Sequence, residues 1–336
     1  MTRTSRLRLP LGLSLGLSLG LGLLILVLGL ASLAAGKVWI PVAELLSPAD
    51  APRWFIVAEL RLPRALLAIL VGAGLGLSGA VLQGYLRNPL ADPGVLGVSA
   101  CAALGAVLSI WFGVAYGAAW VLPACAMAGA IGGMGLLYAL AARARGITTF
   151  ILAGVILNAL AGALTSLAIS LAPNPFATAE IITWLMGALT DRSLQDVAMV
   201  TPFVLAGGAL LLTTGRALDA LMLGELTARS LGIDLTRVRW RVLLGVGLIV
   251  GATTAVTGMI GFVGLVVPHL VRPLAGNRPS ALLVPSALAG AALVLAADTV
   301  VRILPGGTEV KLGIAMAVLG APFFLGLLLK MRREIL

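Results

Sequence analysis

Runs of about twenty apolar residues, separated by short polar turns, recur along the whole of this chain. A bilayer core of about 30 Å takes about 20 apolar residues per helix. The sequence supplies such runs at about 11–35, 62–84, 94–112, 118–141, 148–171, 195–214, 241–262, 281–301 and 312–330. A shorter piece near 265–275 suits only a half-helix or a re-entrant turn, lined by protein rather than lipid. Charge decides the class. Only 11% of the 336 residues are charged, against roughly 25% in a soluble domain, too few to clothe a water-soluble surface. A soluble enzyme, a disordered chain and a secreted disulfide scaffold are all excluded. The chain reads as an all-α polytopic membrane protein of about ten transmembrane helices, forming a single domain over 1–336.

A net charge of +10 would suggest nucleic acid in a soluble protein. Here the basic residues sit in the turns, where they orient the chain in the bilayer, so no nucleic-acid partner is expected. With ten crossings and the N-terminus inside, the inner face receives Arg3, Arg6, Arg8, Arg87, Arg143, Arg145, Arg216, Arg229, Arg237, Arg239, Arg241, Arg272, Arg278, Lys330, Arg332 and Arg333. The outer face receives Lys37, Arg53, Arg61, Arg64, Arg192, Arg302 and Lys311. This imbalance obeys the positive-inside rule and puts both termini in the cytoplasm. Arg3, Arg6 and Arg8 followed by an apolar run ending at Ser32-Leu33-Ala34 raise a cleaved signal peptide. The run from Leu11 to Ala35 is far longer than the roughly 7–15 residues of a signal core, so a retained first helix is expected.

The longest polar inner loop, about 215–240, places Leu218, Leu221, Leu226 and Leu231 at helical spacing, the pattern of a short amphipathic helix pair at the inner surface. On the outer side, Pro173 and Pro175 precede a stretch from Ala177 to Leu189 that reads as a short interfacial helix carrying Trp184.

Several chemistries have no candidate residues. There is no G-x-x-x-x-G-K-[ST] loop to cradle a nucleotide, and no G-x-S-x-G elbow or H-E-x-x-H pair for hydrolysis. His269 is the single histidine, and no metal-ligand cluster is expected. Cys101 and Cys125 lie in apolar stretches and say nothing of redox compartment. Asp298 is the one acidic residue well inside a span, near its outer end. An ion-coupled carrier normally needs buried charge at its coupling sites, so a secondary transporter remains the alternative rather than the first reading. A purely structural or receptor-type protein would need neither the polar inner loop nor the chain breaks. Those breaks are Asn88-Pro89 and Asp92-Pro93 in one half, and Gly258, Gly261, Gly264, Pro268 and Pro273 in the other. Paired breaks are a pointer to a transporter built from repeats; ordinary turns between spans would leave the same residues.

Three blocks, Arg61-Leu62-Pro63-Arg64, Ser78-Gly79-Ala80-Val81-Leu82-Gln83 and Arg87-Asn88-Pro89-Leu90-Ala91-Asp92-Pro93-Gly94-Val95-Leu96-Gly97-Val98-Ser99, resemble the FecCD family. Its members are permease subunits of type II ABC importers for iron-siderophores, haem and vitamin B12. Leu223-Gly224-Glu225 with Ala228-Arg229-Ser230-Leu231-Gly232, Gly261 to His269 with Arg272, Asp298 with Arg302, and Gly320-Ala321-Pro322-Phe323-Phe324 extend the resemblance, in order, over about 37–330. It implies ten helices per subunit and a homodimer with the pathway on its two-fold axis. It also implies a cytoplasmic ABC ATPase dimer that uses the ATP and Mg, a periplasmic substrate-binding protein, and a bacterial inner-membrane location. No cofactor is expected on this chain, and no catalytic residue.

Residue by residue, the resemblance makes Arg61, Arg64 and Arg302 binding-protein docking residues, with headgroup anchoring, or an i,i+4 pair between Arg302 and Asp298, as the plainer reading. It makes Leu223, Gly224, Glu225, Ala228, Arg229, Leu231 and Gly232 the ATPase-coupling segment, although Glu225 and Arg229 could simply pair with each other. Asn88 and Leu90, with Thr148 and Thr149, match an inner gate, and Asn88 before Pro89 is also a good turn initiator. Gln83 and Asn158, polar groups on apolar helices, either line the pathway or bond across helices. His269 reads as structural. The stretch Leu86 to Gly94 looks closer to haem permeases, which orders the expected cargo as haem, then ferric siderophore, then cobalamin.

Overall fold

The computed structural model describes residues 11–41, 52–143, 147–305 and 308–335. Arg3, Arg6, Arg8 and Arg145 lie outside the described residues, as do the side chains of Arg143, Thr148, Lys330, Arg332 and Arg333. The described chain is helical throughout, without a strand. In order it forms α1 (Leu11–Ala34), α2 (Leu62–Leu86), α3 (Val98–Trp111), α4 (Val121–Arg143), α5 (Ile147–Ser170), α6 (Pro175–Leu185) and α7 (Leu194–Leu212). There follow α8 (Gly215–Leu221), α9 (Glu225–Ser230), α10 (Leu235–Thr257), α11 (Val263–Ala275), α12 (Pro279–Ile303) and α13 (Leu312–Ile335). Seven of the described helices are long and apolar enough to cross a membrane, and α3, α11 and the apolar part of α13 are shorter. The shortest of the ten apolar helices is α11, at the position expected for a half-helix.

Two boundaries differ from the hydropathy reading. A helical turn at Pro52–Phe55 and a π-helical turn at Ile56–Arg61 run directly into α2, so the second span starts before its apolar run. The span expected at 241–262 instead covers 235–257: the Asp234 carboxylate caps its start, accepting from the Thr236 and Arg237 amides at 3.0 and 3.1 Å, and Gly258 at φ 71° ends it. Capping satisfies amides that hydropathy does not register. The polar loop before it forms the expected helix pair, α8 and α9. The short helix expected over Ala177 to Leu189 forms as α6 and ends at Leu185, with Asn174 Oδ1 accepting from the Ala177 amide at 2.9 Å.

The bundle is organised around α2. Lipid offers no hydrophobic contrast between helices, so close packing must hold them together, and α2 achieves it with glycine. A Cβ at Gly72 would stand 2.2 Å from the Gly290 carbonyl oxygen, and one at Gly76 2.3 Å from that of Ser286, so α2 and α12 meet backbone to backbone. A Cβ at Gly79 would stand 2.0 Å from the Gly264 carbonyl oxygen, which brings α11 onto the same helix. The α3–α4 crossing repeats the device with Gly105 and Gly129 against the carbonyls of Cys125 and Cys101. By contrast α1 lies at the periphery, against α12, and most of its side chains are exposed.

The two broken segments meet. Gly264 faces Pro93, whose ring carbon lies 2.6 Å from where a Cβ would be, and Phe262 at the start of α11 holds a left-handed φ of 66°. The Asp92 carboxylate accepts from the Gly94 amide at 2.8 Å and closes the turn of Pro93–Leu96.

Replacing Gly72 with leucine should lower the unfolding midpoint in detergent steeply, since overpacking here displaces backbone and costs about 3 kcal/mol or more. Gly132→Ala, in helix interior with open space around it, should instead be neutral or raise the midpoint by the roughly 0.5–1 kcal/mol that alanine gains over glycine.

Candidate functional site

α2 and α12 run antiparallel, and a polar structure closes each end of the pair. At the end holding the start of α2 and the finish of α12, Asp298 is fully buried. It accepts from Arg64 Nε at 2.9 Å to both of its oxygens, and Arg64 Nη2 lies 2.8 Å from Oδ1. Arg64 also bonds Glu309, in the loop before α13. Arg302 Nη2 stands 3.6 Å from Asp298 Oδ2, one turn away on α12, and donates to Ser32 Oγ of α1 at 2.7 Å. Arg61 Nη1 donates to the carbonyls of Leu33 and Ala34 at 2.7 and 2.8 Å, and Nη2 donates to that of Val38. The carbonyls of Leu33 and Ala34 are ones a helix end leaves without intrahelical partners, so Arg61 caps α1 from another element.

The three arginines assigned to docking therefore lie together, and all three are buried and engaged within the chain. The pair between Arg302 and Asp298 is present, while Arg64 is the closer partner of that carboxylate. Arg302 Nε and Nη1 are buried with no hydrogen-bond partner among the described residues. Beside them opens a cavity of about 270 Å³ lined by Lys37, Arg61, Arg64, Arg192 and Arg302 against Asp191 and Glu309. Five cations against two carboxylates favour an anion there. Glu309 was missed by sequence reasoning, and Ser32 was read only in a candidate cleavage site, because the contacts that recruit them span 245 and 270 residues of chain. Elsewhere, Tyr116 donates to Glu180 of α6, and that acceptor raises the phenol above its usual value.

At the opposite end, α8 turns Leu218 and Leu221 into the bundle, while Leu223, Leu226 and Leu231 are exposed on and beside α9. Leu226 is 83% exposed, the most open leucine of the described chain. Gly224, at φ 99°, and Gly232, at φ 80°, bracket α9 with backbone that favours glycine. Ala228 is buried and Arg229 is exposed. Glu225 opens the first turn of α9, where its charge suits the helix dipole. No Glu225–Arg229 ion pair occurs among the described residues.

The residues expected at an inner gate divide. Asn88 Oδ1 accepts from the Leu90 amide at 2.9 Å, and the Asn88 carbonyl from the Ala91 amide at 3.1 Å, so Asn88 shapes the turn. That turn leads into Pro93–Leu96, which packs on α5 where Gly154 meets Val95 and Leu96. Thr149 is exposed on the first turn of α5, and Asn158 is exposed further along it. Gln83 is buried and bonds across helices: its amide nitrogen donates to the Gly264 and Leu265 carbonyls at 3.2 and 3.3 Å, and its oxygen accepts from Arg272 at 2.9 Å. His269 is half-buried and meets Phe323 edge-on, with ring centroids 5.8 Å apart. Among the described residues no three His, Cys, Asp or Glu side chains come together as a metal site.

Comparison with known proteins places this geometry among transporters. The model of the FecCD transport family matches residues 24–330. The vitamin B12 import system permease BtuC of Vibrio cholerae is 39% identical over 306 residues, 89% of this chain and 89% of the relative. The cobalamin import system permease BtuC of Halobacterium salinarum is 43% identical over 278 residues, 81% of this chain and 73% of the relative. A solved structure described as a metal-chelate type ABC transporter in an inward-facing conformation superposes with a TM-score of 0.84 at 33% identity, covering 94% of this chain and 99% of that one.

Asp298→Asn should destabilise the protein by roughly 3–5 kcal/mol, the cost of leaving buried cations without their counter-charge. Adding Arg302→Met should recover part of the loss in the same thermal unfolding measurement. A double variant no better than the single would show that Arg302 does not depend on Asp298.

Proposed function

This chain belongs to the FecCD transport family, and we propose that it is the membrane-spanning subunit through which an ATP-driven importer carries a corrinoid-sized metal chelate into the cell. The observation that carries the reading is the division of exposed chemistry between two ends: a cation-lined cavity at one, an apolar-studded helix at the other, and apolar spans between. The cavity end faces the periplasm and receives a binding protein, whose carboxylates answer the surplus of cations; such complementarity sets register and speeds encounter. Arg61, Arg64 and Arg302 shape that seat from beneath, with Lys37 and Arg192 beside them. The α9 end faces the cytoplasm and docks an ATPase, which buries Leu223, Leu226 and Leu231 in a groove. Both termini are then cytoplasmic, in keeping with the excess of arginine on that side.

Two copies assemble about a two-fold axis. α5 supports this, since among its described residues a narrow stripe (Ala153, Gly154, Leu157, Ala161, Thr165, Ala168) is buried in its own subunit and Asn158 is left in the open. The facing copies line the pathway with Asn158, and the first turns of α5 with the Asn88–Leu90 turn close its inner mouth. ATP and Mg are used by the partner ATPase. The mechanism is alternating access: the loaded binding protein docks, the ATPase moves α9, and the axial pathway changes which side it opens to. A sparsely charged pathway passes a bulky cargo on without holding it.

The relatives named for vitamin B12 and cobalamin favour a corrinoid as cargo. The haem-like stretch Leu86 to Gly94 keeps haem second and a ferric siderophore third. The ion-coupled alternative has little to stand on, since Asp298 is already occupied by Arg64.

Leu226→Glu should leave the unfolding midpoint unchanged, the side chain being exposed, yet abolish co-purification of the ATPase. In proteoliposomes holding this chain, its ATPase and its binding protein, cobalamin uptake should require ATP, with haem and a ferric siderophore offered in parallel to fix the cargo. Uptake indifferent to ATP and driven by an ion gradient would overturn the reading.

A further inference from the structure

α12 begins without a cap of its own. Arg278 at its N-cap makes no side-chain bond to the helix, and Pro279 in the first turn has no amide hydrogen. The missing acceptor comes from α8. Asp219 Oδ1 accepts from the Ser280 amide at 3.0 Å and Oδ2 from the Ser280 hydroxyl at 2.6 Å. A carboxylate on the first turn of a helix is favoured by the unbonded amides and by the dipole.

The surroundings make this contact a fastening rather than a decoration. A Cβ at Gly215 would stand 3.2 Å from Ser280 Cβ, and one at Gly84 3.1 Å from Pro279 Cβ and 3.5 Å from Leu218 Cδ1. The start of α8, the finish of α2 and the start of α12 therefore meet at one point. From there α12 runs, interlocked with α2 through Gly72 and Gly76, to Asp298 at the cation-lined end. At about 1.5 Å per residue the distance from Ser280 to Asp298 is about 27 Å. A backbone-to-backbone contact at Gly72 and Gly76 leaves no side chains to yield, so the pair moves as one body.

We infer that Asp219 is the positioning residue that transmits the state of the ATPase to the binding-protein seat. The inference rests on the proposed function above. α9 carries the surface the ATPase grips, and α8, three residues upstream, carries the pin. Displacement of α8 carries Ser280 with it, and the α2–α12 pair delivers that displacement to Arg64, Asp298 and Arg302. Without the carboxylate, α8 moves and α12 does not follow. Asp219 touches neither nucleotide nor cargo; it acts through Ser280.

Linkage supplies the test, because nucleotide on one side must change affinity on the other by a defined factor. The complete complex in nanodiscs, with an ATPase that binds but does not hydrolyse ATP, is titrated with binding protein in the presence and absence of ATP. The ratio of the two Kd values is the readout. In Asp219→Ala that ratio should move toward one by roughly 5-fold or more, with the ATPase still bound and the nucleotide-free Kd near that of the parent. Ser280→Ala, which keeps the amide bond, should fall between, and Asp219→Asn, which keeps one acceptor, should restore part of the ratio. Val250→Ala, a fully buried site on α10, serves as a variant that only loosens the fold and should keep the ratio.

An Asp219→Ala complex with the parent's ratio overturns the inference, as does an equal loss in Val250→Ala. If Asp219→Ala fails to assemble, Ser280→Ala and Asp219→Asn decide by the same ratio. A parent complex that binds no ATPase, or whose ratio is one, sinks the proposed function itself and is told apart from failure of the pin.

Discussion

Everything in this bundle depends on how closely α2 and α12 approach. Inside a bilayer, burying one apolar helix against another gains little, since lipid tails are equally apolar. What remains is contact density, and glycine at 72, 76 and 290 lets two backbones touch where side chains would hold them apart. α11 then lies against the same helix at Gly79, and its position brings Pro93 and the start of α11 together. The broken segments that give the fold its irregular centre are thus held by backbone contact, with Asp92 accepting from the Gly94 amide and Gln83 donating to the carbonyls of Gly264 and Leu265.

The ends of that pair show how the chain handles charge in an apolar setting. At one end three arginines meet two carboxylates, with backbone carbonyls of α1 and the Ser32 hydroxyl taking part of what the carboxylates do not, and Arg302 Nε and Nη1 left without a partner among the described residues. At the other, Asp219 is matched by an amide and a hydroxyl rather than by a cation. A charge held by neutral dipoles has no opposing side chain to exchange with. Between these ends, the spans carry almost no charge.

The spans, the helix pair of the polar loop and the interfacial helix were legible because hydropathy and helical spacing are local properties. So were the two broken segments, since proline and glycine state their constraint in place. The family was legible as well, its motifs standing in order along the chain. Long-range pairing was not. Nothing near Arg64 in sequence points to Glu309, and Gln83 read equally well as a pathway lining or a cross-helix bond until Arg272 and the Gly264 carbonyl were found against it. Arg61, Arg64 and Arg302 do lie together at one end, but that their guanidinium groups turn inward depends on Asp298 and on the finish of α1, which only the fold brings near. Asn88 was legible in its turn role, because an asparagine before proline acts on its own neighbours.

The span between Arg64 and Asp298 in sequence, 234 residues, has a bearing on biogenesis. A ribosome adding roughly 5–20 residues per second makes Arg64 on the order of ten to fifty seconds before its carboxylate exists. For that interval the glycine face of α2 has no α12 to meet, and the guanidinium waits at the membrane surface, where water can still hold it. The centre of the fold is consequently among the last parts to close, whereas the α3–α4 crossing, whose two helices are neighbours in sequence, has both partners long before. Quality control in the membrane has its widest opportunity there, on a chain whose defining contact has yet to be translated.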